Sequence, residues 1–280
     1  MHQGKTTAIV MAGRRAGHVD PLAAAAGLDD KCVVPVAGRP MIGHVLAALG
    51  RTPEIGQIIV SLNDPATVDD VPEVQDLRAQ GRLIVTSAQA NLVDSLLMAV
   101  REASFPVLIT TADNVLLTPE TASAFLTGAS TAGADVAVAF ARRQAVLDAH
   151  PEGQRRFYRF ADDAYSNCNS YWLGTADALR VAETFRSGGQ FAKHPLRIVQ
   201  AFGLLNLIRF RYGIGTLEGA FRRFSRRFRL AIHPVILGDG AAAIDVDNAR
   251  TLAVAETIFA ARGAGLDAPA ATRSLLDVAN

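Results

Sequence analysis

Four sets of residues in this chain have types and spacing that could do chemistry together. The first is Ala12-Gly13-Arg14-Arg15-Ala16-Gly17, a glycine loop directly after an apolar run. Glycines let a backbone come close to a ligand, and the exposed N–H groups of such a loop point at anionic oxygens, so the loop suits phosphate. The second is Lys31, ahead of Pro35-Val36-Ala37-Gly38-Arg39-Pro40. A fixed ammonium offsets negative charge as it develops on a leaving group; the competing reading is a solvated loop lysine. The third is Asp113, at the end of the very apolar run Phe105 to Thr111. Ligands of open α/β sheets gather outside the carboxyl ends of the strands, where a carboxylate can hold a divalent cation beside phosphate. Asp113 could instead cap a helix, but Thr118, followed by Pro119, is the better cap. The fourth is the pair Asp245 and Asp247 in Ile244-Asp245-Val246-Asp247-Asn248. Alternate residues of a strand face opposite ways, so one of the two is expected to point inward, and its neighbour or Asn248 to cap the helix that follows.

The elements that must position these groups follow from hydrophobic periodicity. Strands are expected at 7–12, 57–62, 82–86, 105–111 and 135–140, and helices at 41–49, 91–103 and from Thr118. Gly50 reads as the stop of the first helix. Strands alternating with helices imply βαβ units and a mostly parallel sheet. The second half is less regular: strands near 157–160, 169–173 and 230–237, helical segments over 176–185 and 191–229, a final helix from Ala249 to Ala261, and a loosely held tail from Gly263. With no low-complexity linker and no internal repeat, residues 1–280 read as one domain. Its regular half is 1–140 and its less regular half 141–262, with a helical lobe about 176–229.

The glycine loop is not the G-x-G-x-x-G dinucleotide fingerprint, and Gly4-Lys5-Thr6 is not a P-loop, since no strand or first glycine precedes it. The longer pattern is more specific. It runs Val10-Met11-Ala12-Gly13-Arg14-Arg15-Ala16-Gly17, Asp20-Pro21-Leu22, then Lys31-x-x-x-Pro35-Val36-x-Gly38-x-Pro40-Met41. This resembles the signature of the MobA-like NTP transferases. The resemblance returns at Thr110-Thr111-Ala112-Asp113-Asn114 and at Ile244-Asp245-Val246-Asp247-Asn248. It implies a Rossmann-like three-layer αβα fold of the nucleotide-diphospho-sugar transferase (GT-A) type, here with a basic helical insertion in the C-terminal half. It implies Mg²⁺-dependent transfer of the NMP part of an NTP to a phosphorylated acceptor, with loss of pyrophosphate. In that scheme Ala12, Gly13 and Gly17 wrap the triphosphate, and Lys31 contacts phosphate near the reacting α-phosphorus. Arg14 or Arg15 would meet the β- and γ-phosphates, while Asp113 with Asp245 or Asp247 would hold the metal. Arg14 stands where the family has a second glycine, which changes the loop path or adds a charge to the phosphates.

Ser87, Asn91 and Ser95 fall where the family contacts base and ribose, though Asn91 reads equally well as a helix N-cap. Asn169, within a polar and then aromatic stretch, is the expected acceptor contact. CTP or GTP is expected ahead of the other nucleotides. The stretch 186–229 carries ten lysines and arginines against Glu218 alone, with seven aromatic residues interleaved. Those cations could be a solvated helical face, a cleft for an anionic acceptor, or a surface that meets anionic lipid at the membrane periphery. A basic aromatic lobe would suit a lipid-precursor acceptor as well as a small phosphorylated one. No nucleic-acid-binding motif accompanies the charge.

Composition sets the outer limits. The chain has 280 residues, 50% of them hydrophobic, and a net charge of +1. That is enough apolar content for a sizeable core, and no global charge argues for a polyanionic partner. Cys32 and Cys168 make no disulfide framework and no zinc spacing, which fits a reducing cytoplasm. No stretch approaches the roughly 18 apolar residues of a membrane span. Two competing functions remain at this stage: a GT-A glycosyltransferase that consumes a nucleotide sugar, and a catalytically inactive nucleotide-binding regulator. Asp113 lies outside any D-x-D motif, which counts against the first.

Overall fold

The computed structural model describes residues 5–14, 19–184 and 213–267. Its centre is an eight-stranded mixed sheet. In chain order the strands are β1 (Thr6–Met11), β4 (Ile55–Leu62), β5 (Leu83–Ser87), β6 (Val107–Thr111), β7 (Val136–Arg142), β8 (Tyr158–Arg159), β9 (Ala164–Leu173) and β10 (Ile232–Leu237). A separate two-stranded ribbon pairs β2 (Pro35–Val36) with β3 (Arg39–Pro40). The order across the large sheet is β10-β7-β9-β6-β1-β4-β5, with β8 on β9. Along this path the pairings are parallel except those made by β9, which runs antiparallel between β6 and β7.

Alternation along the strands divides the core between two faces. Ala8 and Val10 of β1 and Ile58 and Val60 of β4 face one side. They meet α2 (Met41–Arg51), α5 (Pro119–Thr131) and α9 (Ala249–Asp267), through Leu46, Phe125 and Ile258 among others. The short α1 (Pro21–Ala25) and α3 (Pro72–Ala79) lie on the same side. Ile9 and Met11 of β1 and Ile59 of β4 face the other side. There they meet α4 (Leu92–Val100), α7 (Leu179–Thr184) and α8 (Leu217–Phe228), through Leu96, Val181 and Phe221. The product is the expected three-layer α/β arrangement. One further helix, α6 (Arg143–Ala149), follows β7 directly.

Several local readings change. Gly50 does not stop α2, which runs to Arg51 and closes on Thr52. An added Cβ at Gly50 would lie 3.4 Å from Leu77, so this glycine serves the contact with α3. Helices α1, α3 and α6 carry too little periodic apolar pattern to be read from sequence; α6 buries only Val146. The last helix continues past Gly263 to Asp267. Residues 244–248 are not a strand but an irregular link between a short 3₁₀ turn (Gly240–Ala243) and α9.

Candidate functional site

The described residues of the four sets lie at one edge of the sheet, Lys31 on a short 3₁₀ turn and the others on the links after β1, after β6 and before α9. β1, β4, β5 and β6 run parallel, so the segments after them share that edge. After β1, Ala12 donates its N–H to Ser61 O at 2.8 Å, and Arg14 donates its N–H to Asn63 Oδ1 at 2.6 Å. Gly13 sits against the segment that follows β5: an added Cβ would lie 2.8 Å from the Cβ of Ala88. Real Cβ atoms do not approach so closely, so steric contact with Ala88 already requires glycine here. The Arg14 guanidinium is not turned loose into the loop. Its Nε lies 3.2 Å from Oδ1 of the buried Asp30, the residue before Lys31. Arg15 and Gly17 lie outside the described residues.

Lys31 opens a 3₁₀ turn (Lys31–Val33). Its Nζ donates to Asp113 Oδ2 at 2.7 Å and to Asp247 Oδ1 at 2.9 Å. Burial works against the charge of this ammonium, but the two carboxylates outweigh it and hold its pKa above the ordinary lysine value. Asp113 follows β6, and its segment is fixed from both sides: Ala112 N–H donates to Met11 O, and Val246 N–H donates to Asp113 O. Thr118 takes the N-cap of α5, accepting from Thr121 N–H at 3.1 Å, which leaves the Asp113 carboxylate to the site.

Asp245 and Asp247 both face this centre. Alternation does not apply, because the link 244–248 turns tightly enough for Asp247 N–H to donate to Asp245 O. Asn248 caps α9, accepting from Thr251 N–H at 3.2 Å, while Thr251 Oγ1 accepts from the N–H groups of Asp247 and Asn248. Asp247 is largely exposed and Asp245 is 8% exposed. Burial, then the charges of Asp113 and Asp247, push the Asp245 carboxyl well above the usual range; a hydrogen bond with Asn169 and the charge of Lys31 oppose them.

Oδ1 of Asp113 and Oδ1 of Asp245 are shielded from solvent and accept no hydrogen bond among the described residues. Two buried carboxylate oxygens without partners are costly unless a cation takes them. This donor set fits a hard divalent ion of the Mg²⁺ kind, which uses one or two carboxylates and completes its shell with water and phosphate. No trio of His, Cys, Asp or Glu side chains forms a full protein cage among the described residues.

Asn169 reaches Asp245 because β9 is interrupted there. Opposite β7, the pairs Val138 with Tyr171 and Phe140 with Asn167 leave Cys168, Asn169 and Ser170 facing Ala139 alone. Asn169 takes up the excess in the left-handed region, at φ 46°, with its N–H donating to Asn167 Oδ1. Such bulges re-aim a side chain beside a site. The fully buried Asn114 holds this one in place, donating from Nδ2 to Thr110 Oγ1 and to Cys168 O. Asn63 and Asn114 act through hydrogen bonds to distant segments, a role that no spacing in the sequence announces.

Asn91 is the N-cap of α4, accepting from Asp94 N–H at 2.9 Å. Ser95 is buried and internally engaged: its Oγ accepts from Gln89 N–H at 2.8 Å and donates to Asn91 O. Ser87 is exposed at the end of β5. The basic, aromatic stretch is described only from residue 213 onward, and the cations from Arg186 to Arg211 lie outside the described residues. In α8 the aromatic face turns to the sheet, with Phe221 edge-on to Phe140 at 5.8 Å between ring centres, and Arg222, Arg226 and Arg227 are exposed. No helix among the described residues is long and apolar enough to cross a membrane.

Solved structures share this fold. A hypothetical transferase from Thermus thermophilus superposes with a TM-score of 0.73 at 22% identity, covering 89% of this chain and 99% of its own. CMP:2-keto-3-deoxy-manno-octonic acid synthetase complexed with CTP gives 0.54 at 16% identity, over 92% and 100%. The 4-diphosphocytidyl-2C-methyl-D-erythritol synthase of Anaerococcus prevotii gives 0.52 at 11% identity, over 91% and 96%. No curated protein matches the chain. The sequence model of the MobA-like NTP transferase domain matches residues 8–250. With its glycine loop, Lys31 and the Asp113–Asp245–Asp247 group all inside that match, the chain belongs to the MobA-like NTP transferase family.

Proposed function

We propose that this protein joins the NMP part of an NTP to a phosphorylated acceptor, with Mg²⁺ held by Asp113 and Asp245, and releases pyrophosphate. The observation that carries the reading is the meeting of Lys31 with Asp113 and Asp247, beside Asp245 and the Gly13 loop, at the carboxyl edge of the sheet. An oxygen of the acceptor phosphate forms a bond to the α-phosphorus. The bond from that phosphorus to its bridging oxygen breaks, and the electron pair leaves with pyrophosphate. The attacking group is already an anion, so the protein needs no strong base. Its task is to position two anions and to offset their charge.

The segment Ala12–Arg14 would form one wall against the triphosphate, and Ser87 with the loop before α4 would approach the base and ribose. Lys31 would place its ammonium at the phosphates, where charge shifts toward the leaving group. Bound at Asp113 and Asp245, Mg²⁺ would neutralise phosphate oxygens as a Lewis acid. Asn169, fixed on the β9 bulge, would meet the acceptor. CTP comes first among nucleotides, since two of the fold's neighbours are cytidylyl enzymes by name; GTP is second. The chain is read as one domain acting in the cytoplasm, with residues 1–140 serving the nucleotide and 141–262 the acceptor.

The test is pyrophosphate release with each of the four NTPs and Mg²⁺ against a panel of phosphorylated acceptors, for wild type and Asp113→Ala. One productive pair, lost in the variant, is the expected result. Consumption of a nucleotide sugar without pyrophosphate would replace this reading with the glycosyltransferase one.

A further inference from the structure

A cavity of about 520 Å³ lies on the second face of the sheet, between β6, β7 and β9 and the helices α4, α7 and α8. Pockets for small molecules are roughly 300–1,000 Å³, so the size is that of a ligand site. Among the described residues its walls are almost wholly apolar, built from Leu96, Ile109, Val138, Phe221, Phe224 and Phe228. One end reaches the site already described. Asn169, which lies by Asp245 and draws its pKa down, lines the cavity, as does Thr111, two residues before Asp113. The Thr111 hydroxyl is buried there and has no partner among the described residues. The far wall is α8, which turns three phenylalanines inward and carries four arginines against one glutamate.

We propose that the acceptor is a phosphate ester of a hydrocarbon chain, and that this cavity holds the chain. The inference rests on the nucleotidyl-transfer reading, because it names the class of that reaction's second substrate. A sugar or polyol lying in this cavity would leave its hydroxyls without partners against phenylalanine, leucine and valine. A chain matches the walls, and its phosphate end would lie at Asn169, within the influence of Lys31. The chain itself stays unchanged. Its phosphate oxygen forms the new bond to the α-phosphorus, and pyrophosphate leaves with the electron pair of the broken one.

Binding of ethyl, butyl, hexyl and octyl phosphate to the full chain, each below its micellar concentration, tests this by titration calorimetry. Each methylene buried should tighten binding by about fourfold until the cavity is filled. Val138→Phe and Ala182→Trp, which fill the cavity from a strand and from a helix, should flatten that dependence, with CTP affinity read in the same samples as a control. Equal affinity for ethyl and octyl phosphate overturns the inference. So does a chain-length dependence that survives in both variants, since the chain would then bind elsewhere. Failure of the underlying reading looks different. Chain-length dependence without binding of any NTP keeps the chain site and overturns nucleotidyl transfer; pyrophosphate release with a soluble sugar phosphate and no chain-length effect does the reverse.

Discussion

The ammonium of Lys31 donates to the carboxylate of Asp113 over 2.7 Å, joining two residues 82 positions apart in the chain. Asp247 shares the same Nζ at 2.9 Å. One cation therefore balances carboxylates from two distant segments. Lys31→Met should lower pyrophosphate release by about 100- to 1,000-fold, the loss typical of one charge-stabilising donor. Single-turnover kinetics locate that loss in the chemical step; an unchanged rate would remove Lys31 from the machinery.

Among the described residues, Asp113 and Asp245 each keep a buried oxygen without a partner, and the Asp245 charge is disfavoured by burial and by its neighbours. Asp245→Asn keeps the shape and removes that charge. The variant should lose Mg²⁺-dependent activity yet melt no lower than wild type in chelator, as charged functional sites often trade stability for function. Asp113→Asn should lose activity as well, with Lys31 left to Asp247. Calorimetric melting beside activity separates the two effects, and a large fall in Tm for Asp245→Asn would contradict the account.

Gly13 has no room for a Cβ because Ala88 stands 2.8 Å from where it would lie. Gly13→Ala should cost about 1–3 kcal/mol by overpacking and weaken NTP binding. Ala88→Gly removes the opposing methyl, so the double variant should recover most of the loss. Urea denaturation of the four proteins measures that coupling. Additive losses would show that the glycine is needed for another reason.

His44 ties α2 to the signature loop: its Nε2–H donates to Val36 O at 2.8 Å, and its ring stacks on Phe259 at 4.3 Å. Burial lowers its pKa below the ordinary value of 6.5, a nearby Arg39 adding to the effect against the Val36 hydrogen bond. The folded protein therefore resists protonating a ring that the unfolded chain protonates at 6.5. The stabilisation is complete above that pH and is lost as pH falls through the folded value. Relative to His44→Gln, wild type should be more stable at pH 8, and the gap should narrow between pH 6.5 and 5. Tm values of both proteins across that range test it; a constant gap would show that the ring does not titrate with unfolding.

The sequence by itself determined the alternation of apolar strands and helices, because the two periods, 2 and 3.6, are local properties of a half-buried strand and a one-faced helix. It also marked Gly13, Lys31, Asp113, Asp245 and Asp247, since their segments each carry a recognisable local pattern. The cap Thr118 was legible for the same reason, and Asn248 was one of two caps expected for the last helix: a cap acts within one turn. Tertiary structure decided what these groups face. No local rule places Asp30 against Arg14, Ala88 against Gly13, or Asn114 against the carbonyl of Cys168, because each contact spans segments brought together only by the sheet. The link 244–248 shows the limit most sharply. Its sequence alternates like a strand, but it pairs with no strand, and its backbone follows Asp113 and the cap of α9 instead. That is why both aspartates reach one centre, and why the apolar cavity beside Asn169 could be seen only once β9 had bulged and α8 had turned its phenylalanines toward the sheet.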